Sequence, residues 1–305
     1  MTIGEHITEF EGRKIQEWHV GDHVNAKHAI RLSVEYDDDN TGAQLVAALA
    51  EATDADKIEA LVIGQWDGEQ FDSNADDLIT ALVEAKDKLT SLKALFVGEI
   101  VYEECEISWL HQGNYAPLLK AYPKLETLYI RGGEDLSWGE VSHAHLKKLV
   151  IQTGGLPSGV IQEICASKLP ELEHLELWLG SDNYGGDANA ETVAPLLSGR
   201  LFPKLKYLGL RDSEASDAIA VAIANAPVLT HLEELDLSMG TLGNEGGTAL
   251  LESSLVPKLK RLNLSHHYMG EALTKKLKAL KGVKVDVSEA EGEAGPGERY
   301  ISVSE

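Results

Sequence analysis

The chain has 305 residues and carries 50 acidic against 27 basic residues, a formal charge of −23. That acidity argues against nucleic acid and anionic membrane as partners, because both are polyanions. With 43% hydrophobic residues the chain has material for a core, and its length allows two domains, one large α/β domain or one repeat array.

Residues 1–27 read as an N-terminal cap. The opening MTIGEHITEFEGRK has neither a basic n-region nor an apolar h-region, so no secretory signal is expected. Phe10, Ile15 and Trp18 can cover the first repeat, and KIQEWHV can add an edge strand. IRLSV (30–34) reads as a degenerate strand. Asp37, Asp38 and Asp39 with Gly42 superficially suggest a calcium loop. Ala48 stands where its closing Glu belongs, so a solvated loop is expected. TGAQLVAALAEAT (41–53) then opens on a capping box, Thr41 with Gln44.

One motif now recurs: an apolar residue, two variable ones, Leu, one variable, then Leu, Ile or Val. Its copies are IEALVI (58–63), LKALFV (92–97), LETLYI (125–130), LKKLVI (146–151), LEHLEL (172–177), LKYLGL (205–210), LEELDL (232–237) and LKRLNL (259–264). The intervals are 34, 33, 21, 26, 33, 27 and 27 residues, the period of a solenoid. Between copies the spacing turns helical at 73–85, 189–199, 216–226, 244–254 and 270–282, and GLPSG (155–159) also opens a helix. Pro123, Pro170, Pro203, Pro227 and Pro257 enforce exits before the next strand. Strand, loop and helix in alternation require parallel strands with right-handed crossovers. The 21-residue interval is too short for a full helix, and RGGEDLSWGEVSHAH is expected to return as a 3₁₀ or extended segment. VKVDV (283–287) reads as a last degenerate strand. SEAEGEAGPGE then has the composition of a disordered linker, and RYISVS is β-prone and able to dock back.

The fold class is therefore α/β: a solenoid over 28–287 of about 9–10 repeats, with a curved parallel sheet on its concave side and helices on its convex side. An acidic linker and tail follow over 288–305. A closed (β/α)₈ barrel competes, but its strands are covered on both faces and read as continuous apolar runs. Here Glu176, Gly209, Asp236 and Asn263 stand between the paired apolar residues, so one sheet face is expected to be wet.

The segment LEELDLSMGTLGNEGGTALLESSLVPKLKRLNLSHHYMG (232–270) resembles two consecutive copies of the leucine-rich repeat, in its ribonuclease-inhibitor-like form. The resemblance covers roughly 28–287. Where that family usually carries Asn or Cys, this chain has Trp66, Ile100, Gly133, Gly154, Gly180, Ser213, Gly240 and His267. GEHITEFEGRKIQEW and ERYISVSE are similar to the ends of an uncharacterised family of bacterial leucine-rich-repeat proteins, and that similarity implies no activity.

Catalytic motifs are missing. There is no P-loop, no GxGxxG after a strand, no GxSxG and no HExxH. His19, His23 and His28 lie near Glu17 and Asp22, but Gly21 breaks helical spacing, so surface or cap residues are expected. His266 and His267 are adjacent on a strand and point to opposite faces. His143 and His145 lie in the short repeat. Cys105 and Cys165 form no CxxC and read as reduced thiols of a cytoplasmic protein. No catalytic residue, cofactor or metal site is expected.

What remains is a surface. Strand alternation places Phe96, Tyr129, Arg131, Val150, Trp178, Tyr207 and Arg211 on the concave side. Tyr, Trp and Arg dominate binding hot spots. The alternative is that some of these aromatics pack against flanking loops or the C-terminal segment. Residues 1–120 hold 24 acidic and 9 basic residues, whereas 201–285 hold 9 and 11. The expected function is non-catalytic binding of a protein or peptide, with charge favouring a basic one. A narrower form is an inhibitor or immunity protein for a basic toxin or nuclease. A structural subunit of an assembly and a metal-dependent hydrolase are the other readings.

Overall fold

The computed structural model describes residues 3–35, 40–68 and 73–305; the Asp37–Asp39 run lies outside them. Its contacts divide into two units. The first is Ile3–Gln152 with Ala166–Leu169, and the second is Thr153–Cys165 with Pro170–Ser304.

In the first unit, β1 (Glu9–Phe10) and β2 (Arg13–Glu17) form an antiparallel hairpin. Strands β3 (Ala29–Leu32), β4 (Ala60–Ile63), β5 (Ala94–Val97), β6 (Thr127–Arg131) and β7 (Lys148–Gln152) follow β2 in parallel and in chain order. The register puts Leu61, Leu95, Leu128 and Leu149 in one row and Ile63, Val97, Ile130 and Ile151 in the next. Every one of these is fully buried. Their row faces the helices α1 (Gly42–Ala50), α2 (Asp76–Glu84) and α3 (Ala116–Ala121), which are packed in sequence. Thr41 and Gln44 form the expected capping box of α1. Helix α3 is the element sequence periodicity misses, since six residues give fewer than two turns of spacing. Between β6 and β7 no helix forms. Trp138, fully buried, fills the space there, and its Nε1 donates to Ser167 Oγ at 3.0 Å.

In the second unit, β8 (His174–Gly180), β9 (Tyr207–Ser213), β10 (Glu234–Asp236), β11 (Arg261–Asn263) and β12 (Lys284–Asp286) are parallel and in order. Leu175, Leu208, Leu235 and Leu262 share a row. Helices α4 (Ser158–Ala166), α5 (Ala190–Leu197), α6 (Ser216–Ile223), α7 (Asn244–Glu252) and α8 (Glu271–Lys278) alternate with the strands as the periodicity predicts. Asp212, Met239, His266 and Glu289 each stand two residues beyond the second apolar residue, and all take positive φ. The repeat turn therefore keeps one backbone path without glycine. His267 stands where the leucine-rich-repeat resemblance leads to the expectation of Asn or Cys. Its Nε2 lies 3.2 Å from the Val287 carbonyl oxygen, and its Nδ1 accepts from Met269 N at 3.1 Å.

Beyond β12 the chain is held, in contrast to the disorder its composition suggests. Glu291 N donates to His267 O, and Asn244 Nδ2 donates to Glu293 Oε1. Arg299 pairs with Asp217 at 2.7 Å and also donates to Thr241 O. Ser302 N and Val303 N both donate to Asp212 Oδ1 at 3.0 Å. Composition cannot register such contacts, because each partner comes from a repeat far back in the chain.

Asp212 is fully buried, and its Oδ2 has no hydrogen-bond partner. Burial pushes its carboxyl up to about 7 from an ordinary 3.8, with the two tail amides offsetting part of the effect. The folded protein thus keeps a proton that the unfolded chain releases near its ordinary value. The stability this contributes is present below the ordinary value and is lost as pH rises through about 7. From about pH 5 to about pH 8 the melting temperature of the wild type should fall relative to Asp212→Asn. A constant gap between the two proteins across that range would reject this assignment.

Candidate functional site

The seven residues expected on the concave side all lie on the helix-free face of the sheet, but they fall into two groups with different surroundings. In the first unit that face is covered. Ala29, Ala60 and Ala94 form a row of small residues across β3, β4 and β5, and Phe10, Ile7 and Ile15 pack into it with Val62 and Phe96. Phe10 meets Tyr129 edge-on at 5.5 Å and Phe96 at 6.0 Å, and Phe96 and Tyr129 stand 5.3 Å apart. Phe96 and Val150 are buried and Tyr129 is half-buried.

Arg131 is buried as well. Its Nη1 donates to Ile100 O at 2.6 Å, its Nε donates to Gln152 Oε1 at 2.9 Å, and its guanidinium lies 5.2 Å from the Phe96 ring centre. Burial pushes its pKa down to about 10, with Glu99 and Glu104 opposing. Lys148 closes the edge of the cluster, 5.8 Å from the Tyr129 ring centre and 2.8 Å from Glu11.

A second anchor fixes the N-terminal segment. Glu99 is fully buried and accepts from Arg31 Nε at 2.9 Å and from Ile7 N at 3.0 Å. His6 Nδ1 lies 3.0 Å from the same carboxylate. Gly64 makes room for this arrangement, since a Cβ there would stand 2.9 Å from Arg31 Nη2 and 2.6 Å from Ser33 Oγ.

In the second unit the helix-free face carries a polar network. Glu176 Oε1 accepts from Trp178 Nε1 at 2.8 Å and from Arg211 Nη1 at 2.7 Å. The Tyr207 hydroxyl lies 2.9 Å from Glu176 Oε2 and 3.1 Å from Asp236 Oδ2. Asn263 Nδ2 donates to Asp236 Oδ2, and Arg211 Nε donates to Ser238 Oγ. The Arg211 guanidinium stands 5.4 Å from the Trp178 ring centre, and His174 stacks on Tyr207 at 3.9 Å with the rings 2° from parallel. Gly209 eases the packing here, since a Cβ would stand 3.0 Å from the Tyr207 ring and 3.2 Å from Glu176 Cγ, closer than side chains ordinarily approach. Burial opposes ionisation of Glu176, yet His174, Arg211 and Trp178 hold its pKa down to about 2.

The wet face expected from Glu176, Asp236 and Asn263 is therefore corrected. All three are buried, because neighbouring side chains lie over them and satisfy them. Trp178 is buried, whereas Tyr207, Arg211, His174 and Glu234 are half-buried and Arg261 is exposed.

The histidine candidates do not converge on a common site. His19 contacts Asp22 at the surface. His143 is buried: its Nε2 lies 3.0 Å from Tyr122 O, and its Nδ1 accepts from Leu146 N. Among the described residues the group able to share a metal ion is His111, Glu134 and Asp135, with donor atoms within 4.8 Å of one another. Sequence spacing gives no hint of it, because a parallel bridge pairs His111 with Glu134 across two repeats. Both thiols are pushed up to about 11, Cys165 by burial and Cys105 by burial together with Glu106 and Glu104, so neither is an activated nucleophile. A groove of about 770 Å³ lies beside α3, lined by Leu119, Val141 and His145 among others.

Comparison with known proteins now decides the family. The leucine-rich-repeat family model matches residues 228–251. A protein of Bacteroides fragilis of known crystal structure is 32% identical, and the match covers 90% of this chain and 77% of that one with a TM-score of 0.81. The chain belongs to the leucine-rich-repeat proteins. An internalin of Listeria monocytogenes is 12% identical over 88% of this chain and 68% of its own, with a TM-score of 0.36. The ectodomain of an Arabidopsis thaliana receptor kinase, crystallised with CASPARIAN STRIP INTEGRITY FACTOR 2, is also 12% identical, over 88% of this chain and 35% of its own, with a TM-score of 0.30. No curated protein matches the sequence. In this leucine-rich-repeat chain, no described helix is long and apolar enough to cross a membrane.

The covering of the first unit makes a direct prediction. Phe10→Ala removes a ring that sits over a row of alanines too small to close the gap. It should destabilise the protein by about 3 kcal/mol in denaturant titration, the usual cost of a buried Phe. A loss near zero would mean that the hairpin is not part of the folded core.

Proposed function

We propose that this leucine-rich-repeat protein is a non-catalytic scaffold that binds a protein or peptide on the helix-free face of its second unit. One observation carries the reading. Tyr207, Arg211 and Trp178 are held by Glu176, Asp236 and Ser238 in one geometry before any partner arrives. Such side chains lose little freedom on binding, so their contacts translate into affinity. Leucine-rich-repeat proteins are typically binding scaffolds, and burial pushes both thiols up to about 11, away from nucleophile chemistry.

The partner surface is then smaller than the seven residues named from sequence. Phe96, Val150 and Arg131 belong to the first unit and are buried there. His174, Tyr207, Arg211, Glu234 and Arg261 are the side chains open to contact. The charge of −23 favours a basic partner. An inhibitor or immunity protein for a basic toxin or nuclease is the narrower form of this reading and rests on that charge. A cytoplasmic location fits the two free cysteines.

The test starts from the protein that co-purifies with the chain from its own host. Tyr207→Ala combined with Arg211→Ala should weaken that complex at least about tenfold, as loss of hot-spot residues does. Unchanged affinity in a variant with wild-type melting behaviour would remove the proposed face from consideration. Added salt should slow association more than it speeds dissociation if charge steers the encounter.

A further inference from the structure

The loop between β5 and α3 has a feature the strand faces do not share. Four of the five tryptophans are buried, whereas Trp109 is 53% exposed. Tyr102, in the same loop, is 46% exposed. The loop is not loose. Ile107 and Leu110 are buried on either side of Trp109, Ile100 O is held by Arg131, and Glu104 Oε2 accepts from Val101 N. Trp109 closes a 3₁₀ turn, Ile107–Trp109, in which its N donates to Glu106 O at 3.0 Å. That bond makes Glu106 and Trp109 the first and last residues of one closed turn.

Residues 98–111 contain Glu99, Glu103, Glu104 and Glu106, and no lysine or arginine. Glu99 is taken up by Arg31, and Glu104 lies 3.5 Å from His6. Among the described residues, Glu103 and Glu106 make no ion pair and Trp109 makes no ring contact. One anchored turn thus carries an open indole at its end and, three residues earlier, a carboxylate without an ion pair.

That pair has one good complement. A planar guanidinium can stack on an indole while its N–H edge reaches a carboxylate, which an ammonium cannot do as well. We propose that the 98–111 loop docks an arginine-bearing segment of a partner protein, with the guanidinium on Trp109 and its edge on Glu106. The excess of 24 acidic over 9 basic residues in positions 1–120 supplies the long-range attraction. This surface belongs to the first unit and is independent of the binding face proposed for the second.

The full chain can be titrated with dye-labelled peptides of alternating glycine with arginine, lysine or glutamate, read by anisotropy at low salt. The arginine peptide should bind best and the glutamate peptide should not bind. Trp109→Ala should weaken the arginine peptide about fivefold and Trp109→Phe by less, as expected for loss of an exposed cation–π contact. Glu106→Gln should weaken it by about threefold, the scale of an exposed ion pair. Glu191→Gln, an exposed carboxylate on α5, should change nothing. Trp109 is exposed, so its variants should melt with the wild type. Equal weakening by Trp109→Ala and Glu191→Gln, or none by either, overturns the proposal and leaves only attraction to net charge. Self-association that disappears in Trp109→Ala, with no peptide binding by the wild type, also overturns it and assigns the surface to a second copy.

Discussion

A parallel sheet built from strand–helix repeats has two faces, and its helices can bury only one. Here the leucine rows satisfy the helical side in both units. Leu61, Leu95, Leu128 and Leu149 do so in the first, and Leu175, Leu208, Leu235 and Leu262 in the second. No single strand and helix could hide its leucines alone, so each repeat is stable only against its neighbours. The other face is left as a separate physical problem, and the two units solve it differently.

The first unit solves it with apolar burial. A row of alanines lowers the sheet surface, and Phe10 with Ile7 and Ile15 fills the depression. Three aromatic rings then meet at 5.3 to 6.0 Å, within the range where such pairs attract. The buried Glu99–Arg31 pair adds direction to this non-directional contact. A buried pair of this kind contributes little net stability but is costly to break. It therefore fixes where the N-terminal segment lies more than how strongly it is held.

The second unit solves the same problem with hydrogen bonds. Glu176 and Asp236 are buried carboxylates, and Tyr207, Arg211, Trp178 and Asn263 satisfy them. A network with every member satisfied is rigid, while one missing donor would leave a buried charge exposed to the full desolvation cost. The consequence for function is that rigidity and accessibility coincide in the second unit, where polar groups stay near solvent. In the first unit rigidity comes from closing the face altogether. Accessible aromatic surface there moves to the 98–111 loop, where Trp109 is held out by its buried neighbours Ile107 and Leu110.

The sequence by itself determined the repeat, its parallel strand order and all helices but α3, because apolar spacing is a local property of each segment. It also determined that Phe96, Tyr129, Trp178 and Tyr207 share the helix-free side, since strand alternation is equally local. The alanines at 60 and 94 were a legible sign that something lies close over that face, because small residues leave a depression that must be filled. The tertiary structure alone decided what fills it. Phe10 lies 19 to 119 positions away from the alanines and rings it meets, Arg299 reaches back to Asp217, and His111 meets Glu134 across two repeats. Such pairings depend on which strands become neighbours and on the turn that follows each, and no periodicity records them. Whether an aromatic on the sheet is core or contact surface is therefore a property of the assembled chain.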